Sequence, residues 1–386
     1  ASCLVNVFFT FGQYAIGRGV KLYGVSPNSP LSDAKQVSRA KIEKIPILSG
    51  DTVEEVDGHP LNNLQELVSA LNSTQPGPAK VKIYRFEWYG VLDVPRGQLH
   101  EGATPEEQLG IERWTKGRDR RATGFYNHWT TYAEMLQLIT SLAIGLFFAL
   151  PRKRNRNGAL LALVIGAMGI ALVLSVTRAA WLSLLISAAV ITALSVSRKM
   201  LVVLGLCAVP LILGGLFVLQ KKRNVGFFDK KDDSIVWRER TWHDGFQLLT
   251  ASPRHLLVGV GMDSIKAHWR EWGLFDGGRM PMGHMHSDYL QIALERGVPA
   301  LIAWLILLGT YALMLWRLRR RIPIENWINR GIVLGAFGGW IGFMTSGVVH
   351  YNWGDSEVVM IFYLVMGLSL AVERLTREAG FTASPP

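Results

Sequence analysis

The sequence predicts a mainly α-helical polytopic membrane protein, with about seven complete transmembrane helices, a partial N-terminal one and a small α+β domain. Three observations carry that expectation. The mean hydropathy is positive at +0.21, and hydrophobic residues make up 49% of the 386 while charged ones make up 18%, a low share for a soluble chain. Seven apolar segments, at 134–150, 158–177, 180–196, 200–219, 298–316, 331–349 and 356–372, each approach the ~20 residues that span a bilayer. Basic clusters flank alternate segments: Arg152, Lys153, Arg154 and Arg156 follow the first, and Arg198 and Lys199 the third. Arg317, Arg319, Arg320 and Arg321 follow the fifth, and Arg374 and Arg377 the seventh. If the segments alternate, all four clusters fall on one side, which the positive-inside rule makes cytoplasmic. Lys221, Lys222 and Arg223 run against this orientation, but they open a long loop, where the rule is weaker.

The remaining chain divides around those segments. Residues 1–16 hold an apolar stretch too short to span, with no basic leader, and read as the tail of a truncated transmembrane helix. Residues 17–95 mix polar and apolar positions, with strand-like Val20 to Val25 and Val81 to Tyr84 around a helical pattern of Leu64, Leu67, Val68 and Leu71. Within them, Ser49-Gly50-Asp51-Thr52-Val53-Glu54-Glu55-Val56-Asp57-Gly58-His59-Pro60-Leu61, followed by that helix and a strand ending near Arg85, resembles the second half of a bacterial PDZ domain. Gly24-Val25-Ser26-Pro27-Asn28-Ser29-Pro30 resembles its earlier strand and turn, while 31–48 is longer than that family's pattern. Residues 96–121 read as a polar linker with a short helix around Pro105 to Thr115. A membrane domain is expected over 122–372, with a large outside loop at 221–297, and a cytoplasmic tail at 373–386.

Composition excludes several function classes. The net charge of +11 would suit nucleic acid in a soluble domain, but here much of the basic excess lies beside apolar runs as orientation signals. Cys3 and Cys207 both lie in apolar stretches, so neither a disulfide framework nor a cysteine metal site is expected. No cofactor is expected. The apolar segments hold neither a Gly-x-Ser-x-Gly nor a His-Glu-x-x-His pattern, which disfavours a membrane protease.

Three places could carry chemistry. Arg178, in Ser175-Val176-Thr177-Arg178-Ala179-Ala180-Trp181-Leu182, sits between two apolar runs at a turn expected on the outer face. It reads either as an interfacial Arg reaching lipid phosphate or as a fixed cation for a phosphate or pyrophosphate. Arg238 and Arg240, in Trp237-Arg238-Glu239-Arg240-Thr241-Trp242, lie on a helix expected to run on to Leu249. For Arg240 a solvated pairing with Glu239 or Asp244 is favoured. Gly283-His284-Met285-His286-Ser287-Asp288-Tyr289-Leu290 puts two histidines and a carboxylate at the outer mouth of the fifth segment, where a neutral imidazole could take a proton from a hydroxyl. Zinc is disfavoured there, because on a helix only His284 and Asp288 would share a face. Trp237, Trp242, Trp269 and Trp272 in the same loop suit either sugar stacking or an interfacial aromatic belt.

These residues together resemble the O-antigen ligase and Wzy-type polymerase family. His286-Ser287, nine residues, then Gly297-Val298-Pro299-Ala300 is similar to that family's His-[Asn/Ser/Gln], nine residues, Gly-x-x-Gly, with Ala300 in place of the last Gly. Thr177-Arg178-Ala179-Ala180-Trp181 resembles its Ser-Arg-Gly-Ala-Trp turn, and Arg238, Trp242, Gly259 and Gly261 resemble its Arg-x-x-x-Trp stretch before a Gly-x-Gly. Gly124-Phe125-Tyr126-Asn127-His128 looks like a further shared element. The resemblance implies a metal-independent inverting glycosyltransferase of the bacterial cytoplasmic membrane with a periplasmic active face. It implies an undecaprenyl-pyrophosphate-linked glycan as donor and lipid A-core, another glycan or a protein as acceptor. It also implies roughly a dozen helices in full members, about five of them N-terminal to this sequence. His286 would orient or deprotonate the acceptor, and Arg178 and Arg238 would hold the pyrophosphate as it leaves, with Arg240, His284, Asp288 and Trp242 as further substrate contacts. A PDZ-like domain implies a peptide or protein partner bound by strand addition. The reading from another class is a membrane transporter whose Arg178 and His286 line a substrate path.

Overall fold

The computed structural model describes residues 2–37, 42–85, 88–118, 121–126, 128–197, 199, 233–278 and 283–382. The expected segment 200–219, Cys207, Arg198, Lys221, Lys222, Arg223 and Asn127 lie outside the described residues. The chain forms two compact units, Ala1–Ala122 and Thr123–Pro386.

The first unit begins with the apolar helix α1, Ser2–Ile16. An antiparallel sheet follows, built from β1 (Val20–Tyr23), β2 (Lys35–Val37), β3 (Ile42–Lys44), β4 (Thr52–Val56), β5 (His59–Pro60), β6 (Ala79–Arg85), β7 (Trp88–Val94) and β8 (Arg113–Lys116). Its order is β3-β2-β7-β6-β4-β1-β8, with β5 beside β4. Alternation in β6 puts Ala79, Val81 and Ile83 into a core closed by helix α2, Leu64–Leu71, whose Leu64, Leu67, Val68 and Leu71 are all buried there. The expected linker at 96–121 is a correction: after the short α3, Pro105–Leu109, it supplies β8, which pairs with β1 from Val20↔Lys116 to Tyr23↔Arg113 and so belongs to the sheet. The helix there also ends earlier than expected, because Gly110 takes the left-handed cap at φ 63.

The second unit is helical: α4 Trp129–Ala149, α5 Arg156–Leu174, α6 Arg178–Ser195, α7 Asp233–Thr250, α8 Pro253–Val258, α9 Ser264–His268, α10 Leu274–Gly278, α11 Asp288–Arg296, α12 Val298–Arg321, α13 Trp327–Ser346 and α14 Ser356–Thr382. Among the described residues five helices are long and apolar enough to cross a membrane: α4, α5, α6, α12 and the stretch Ser356–Glu378 of α14. The expected segment 331–349 corresponds to α13, which is helical but does not reach that apolarity. It is instead rich in glycine and lines the bundle interior against α4 and α6. Small residues bring the backbones together: a Cβ on Gly335 would meet Leu142 Cα at 2.5 Å, and one on Gly145 would meet Gly335 N at 2.3 Å.

Helix direction follows from the same contacts. Gly145 lies against Gly335 while Gln137 lies against Gly342, so α4 and α13 are antiparallel. Ser187 Oγ accepts from Gln137 Nε2 at 3.0 Å and donates to Gly338 O at 2.7 Å, which puts α6 at the same depth. The N-termini of α4 and α6 and the C-terminus of α13 therefore share one end of the bundle. At the other end, Arg319 Nη1 donates to Leu194 O at 3.2 Å, where α12 and α6 both finish. Arg152, Lys153, Arg154, Arg156, Lys199, Arg317, Arg320 and Arg321 gather at that basic end.

Candidate active site

The site forms at the end opposite the basic clusters, where a small folded cap built from 233–278 and 283–297 meets the loop between α13 and α14. The cap has its own core, in which Leu249, Ile265, Leu274, Phe275, Met285, Ala293 and Leu294 are buried together. Met285 anchors the histidine segment from both sides. Its N–H donates to Gln291 Oε1 at 2.7 Å, its carbonyl accepts from Trp242 Nε1 at 3.0 Å, and its side chain is fully buried. With Met285 turned into the core, its neighbours His284 and His286 pair outside it, ring centroids 4.0 Å apart, and the His286 N–H donates to His284 Nδ1 at 3.2 Å. His286 adopts φ 48, a left-handed conformation that a non-glycine residue takes only where its surroundings enforce it.

These two histidines precede the helix and do not lie on it. Ser287 is the N-cap, its hydroxyl accepting from Leu290 N–H, and α11 starts at Asp288. The helical-face comparison of His284 with Asp288 therefore does not apply. Asp288 is fully buried; its backbone N–H donates to Gly347 O at 2.8 Å and His350 O at 3.1 Å, and its Oδ1 accepts from Trp353 N–H at 2.8 Å. Burial pushes its carboxyl well above the usual range. It docks α11 onto the 347–353 loop, so its geometry is that of a positioning group.

The glycines of the sequence motifs have a packing role. A Cβ on Gly259, at φ 78, would meet Glu295 C at 2.4 Å, and one on Gly297, at φ 85, would meet Leu257 O at 2.3 Å. The backbone of 257–261 thus lies directly on the end of α11, where Val260 N–H donates to Leu294 O at 2.8 Å.

Trp237, on α7, packs edge-on against His286 at 4.8 Å, and Gly245, two turns on, lies against Met285 and Leu290. Arg238, half-buried beside Trp237, comes close enough for its charge to act on His286. Burial, reinforced by His284, then Arg238, then His350 and His128, lowers the His286 imidazole to about 2; burial with His350 and His128 lowers His284 to about 4. Both rings are neutral at physiological pH, and His286 is a poor proton acceptor.

Arg178 stands half-buried at the first residue of α6, after Thr177. The motif tryptophan explains the turn: Trp181 Nε1 donates to Leu172 O at 2.8 Å, clamping the end of α5 to the start of α6, with Val176 at φ 54 between them. Arg178 lies at the same end of the bundle as the histidines, nine residues before Ser187. Trp242 holds the Met285 carbonyl, and Arg240 is exposed on the other side of α7's first turns.

Three residues not singled out from sequence complete the cluster. His350 Nδ1 pairs with Glu134 Oε1 at 2.8 Å, His350 side chain 8% and Glu134 1% exposed. Tyr351 follows, its ring 5.9 Å from that of His284. The available signal was an ionisable residue at the edge of each apolar segment, Glu134 opening the first and His350 closing the sixth. No curated protein matches the chain. Residues 161–305, which hold Arg178, Arg238, His284 and His286, match the model of the Wzy_C family, O-antigen ligase, so over that segment the chain is similar to the O-antigen ligases.

Proposed function

We propose that this protein transfers a glycan from an undecaprenyl-pyrophosphate donor to an acceptor hydroxyl at the periplasmic face of the bacterial cytoplasmic membrane, as a metal-independent inverting glycosyltransferase. The observation that carries the reading is the gathering of His284, His286, Arg238 and His350 at the bundle end away from the basic clusters, largely within the family match. An acceptor hydroxyl is a weak nucleophile, and a pyrophosphate leaving group gains negative charge as the glycosidic bond breaks. Arg238 and Arg178 supply fixed positive charge for that group, and the guanidinium fork suits its oxygens. His286, neutral and held rigidly, orients the acceptor. His284 borders the same region as a substrate contact, with Trp242 and Asp288 supporting it from behind, while Arg240, on the other side of α7, meets substrate outside this cluster.

Ligase chemistry on lipid A-core is the first choice among acceptors, because the His286-Ser287 motif resembles that of the ligases; polymerisation of repeat units and transfer to protein are the alternatives. The test supplies membranes carrying the protein with undecaprenyl-pyrophosphate oligosaccharide and, in parallel, lipid A-core, a second lipid-linked repeat unit or a periplasmic protein. The expected result is donor consumption that persists in chelator, with inverted configuration at the new bond. Donor left intact with every acceptor would favour the transporter reading.

For the sheet domain the proposal is narrower. Its resemblance to PDZ domains supports capture of an extended peptide by strand addition. Deleting residues 17–118 should remove a protein association; unchanged associations and unchanged glycan transfer would sink the idea.

A further inference from the structure

We propose that the Glu134–His350 pair is the proton-accepting dyad of the site, with His350 as a catalytic residue and Glu134 as its positioning residue. This rests on the glycosyltransferase reading above and names a base for it. Three features point there. The pair is geometrically a dyad: a carboxylate 2.8 Å from Nδ1 fixes the proton on that nitrogen and leaves Nε2 as the lone-pair nitrogen. It is buried where a purely structural ion pair is costly, at the first turns of a membrane-crossing helix, and Glu134 Oε2 has no hydrogen-bond partner among the described residues. It also sits in the histidine cluster itself: the 347–353 loop that carries His350 accepts the Asp288 N–H through both Gly347 and His350 carbonyls, two residues from His286.

The other candidate base is less able. His286 is desolvated and crowded by Arg238 and three further histidines, so adding a proton there is opposed from every side. His350 has a carboxylate to balance the charge it gains. In the step, the acceptor O–H proton passes to His350 Nε2 while the hydroxyl oxygen bonds to the anomeric carbon. The anomeric C–O bond to phosphate breaks, and its electron pair leaves with the pyrophosphate. The proton on His350 then passes to the departing pyrophosphate or to water, which restores the dyad.

Glu134 of α4 bonds His350 directly and the Asp288 N–H donates to its carbonyl, while His284 and His286 feel the charge of His350 together with that of His128 at the cap of α4, and His286 also feels Arg238 of α7. Tyr351 lies on its own loop, and Asp355, bonded to Thr131 at 2.5 Å, opens α14. The test uses the full chain in membranes, the undecaprenyl-pyrophosphate oligosaccharide, and the acceptor that the wild type uses. His350→Gln should lower kcat about a hundredfold or more. Donor Kd should stay within about threefold, because binding precedes the proton transfer. Glu134→Gln, which keeps the size of the side chain, should lower kcat about tenfold and move the acid limb of its pH profile to lower pH, since removing a neighbouring anion disfavours imidazolium. The double variant should lose little beyond His350→Gln alone. If His350→Gln fails to fold, Glu134→Gln decides by its pH profile. Wild-type kcat and pH profile in a variant that still binds donor would overturn the dyad and leave the transferase reading standing. A wild type that consumes no donor would overturn both.

Discussion

The sheet domain and the histidine end of the bundle use polar groups differently. In the sheet domain charges close on one another: Arg85 forks onto both oxygens of Asp51 at 2.8 and 2.6 Å, and Arg96 bonds Asp57 at 2.7 Å while also holding Ser73 and the α2 carbonyl of Ala70. These pairs tie strands to loops and to a helix end. At the histidine end, buried atoms are left over: Asp288 Oδ2 and Glu134 Oε2 lack hydrogen-bond partners among the described residues, His286 is held at φ 48, and neutral imidazoles crowd an arginine. A fold holds such a cluster only where surrounding contacts enforce it.

Substitutions in the two regions should have different consequences. The largest effect is expected at Arg238, the charge proposed to face the leaving group: Arg238→Ala should lower initial transfer rates about a hundredfold or more at matched expression. Met285→Ala comes next. Emptying a fully buried site should cost about 2–5 kcal/mol, seen as earlier unfolding in detergent, and should release the His284–His286 turn so that transfer falls with it. In the sheet domain Arg96→Ala should cost about 1–3 kcal/mol by the same assay while leaving kcat for transfer unchanged. A matching loss of kcat would show that the two regions do not divide labour as described.

The smallest expected effect is on acid stability. His284 and His286 have folded values of about 4 and about 2, below the ordinary 6.5, so the unfolded chain binds more protons as pH drops. Their contribution to stability is full above about pH 6.5 and is lost progressively as pH falls toward the folded values. His286→Gln should flatten that acid-side decline in thermal unfolding. Asp288, with its raised carboxyl, acts in the opposite sense, losing stability as pH rises through its folded value.

Much of this organisation was legible in the sequence because membrane helices announce themselves by length and apolarity, and five of the expected segments are such helices. Segment 331–349 corresponds to α13, whose glycines serve a close helix approach. The β8 strand was missed because Arg113-Trp114-Thr115-Lys116 is too short and polar to stand apart from its charged surroundings, and only its pairing with β1 makes it a strand. Arg238 lies near enough for its charge to act on His286, whereas His350 and Glu134 are 216 positions apart and meet only through the packing of α4 against α13. Local spacing cannot report such a contact.

The histidine end of the bundle is proposed to perform glycan transfer. The most direct measurement is the initial rate of undecaprenyl-pyrophosphate oligosaccharide consumption by membranes carrying wild type, His286→Ala, Arg178→Ala or Arg238→Ala, with Arg96→Ala as the reference for a structural change elsewhere. The account predicts rapid consumption by wild type and by Arg96→Ala and almost none by the other three; equal consumption by His286→Ala and Arg238→Ala would contradict it.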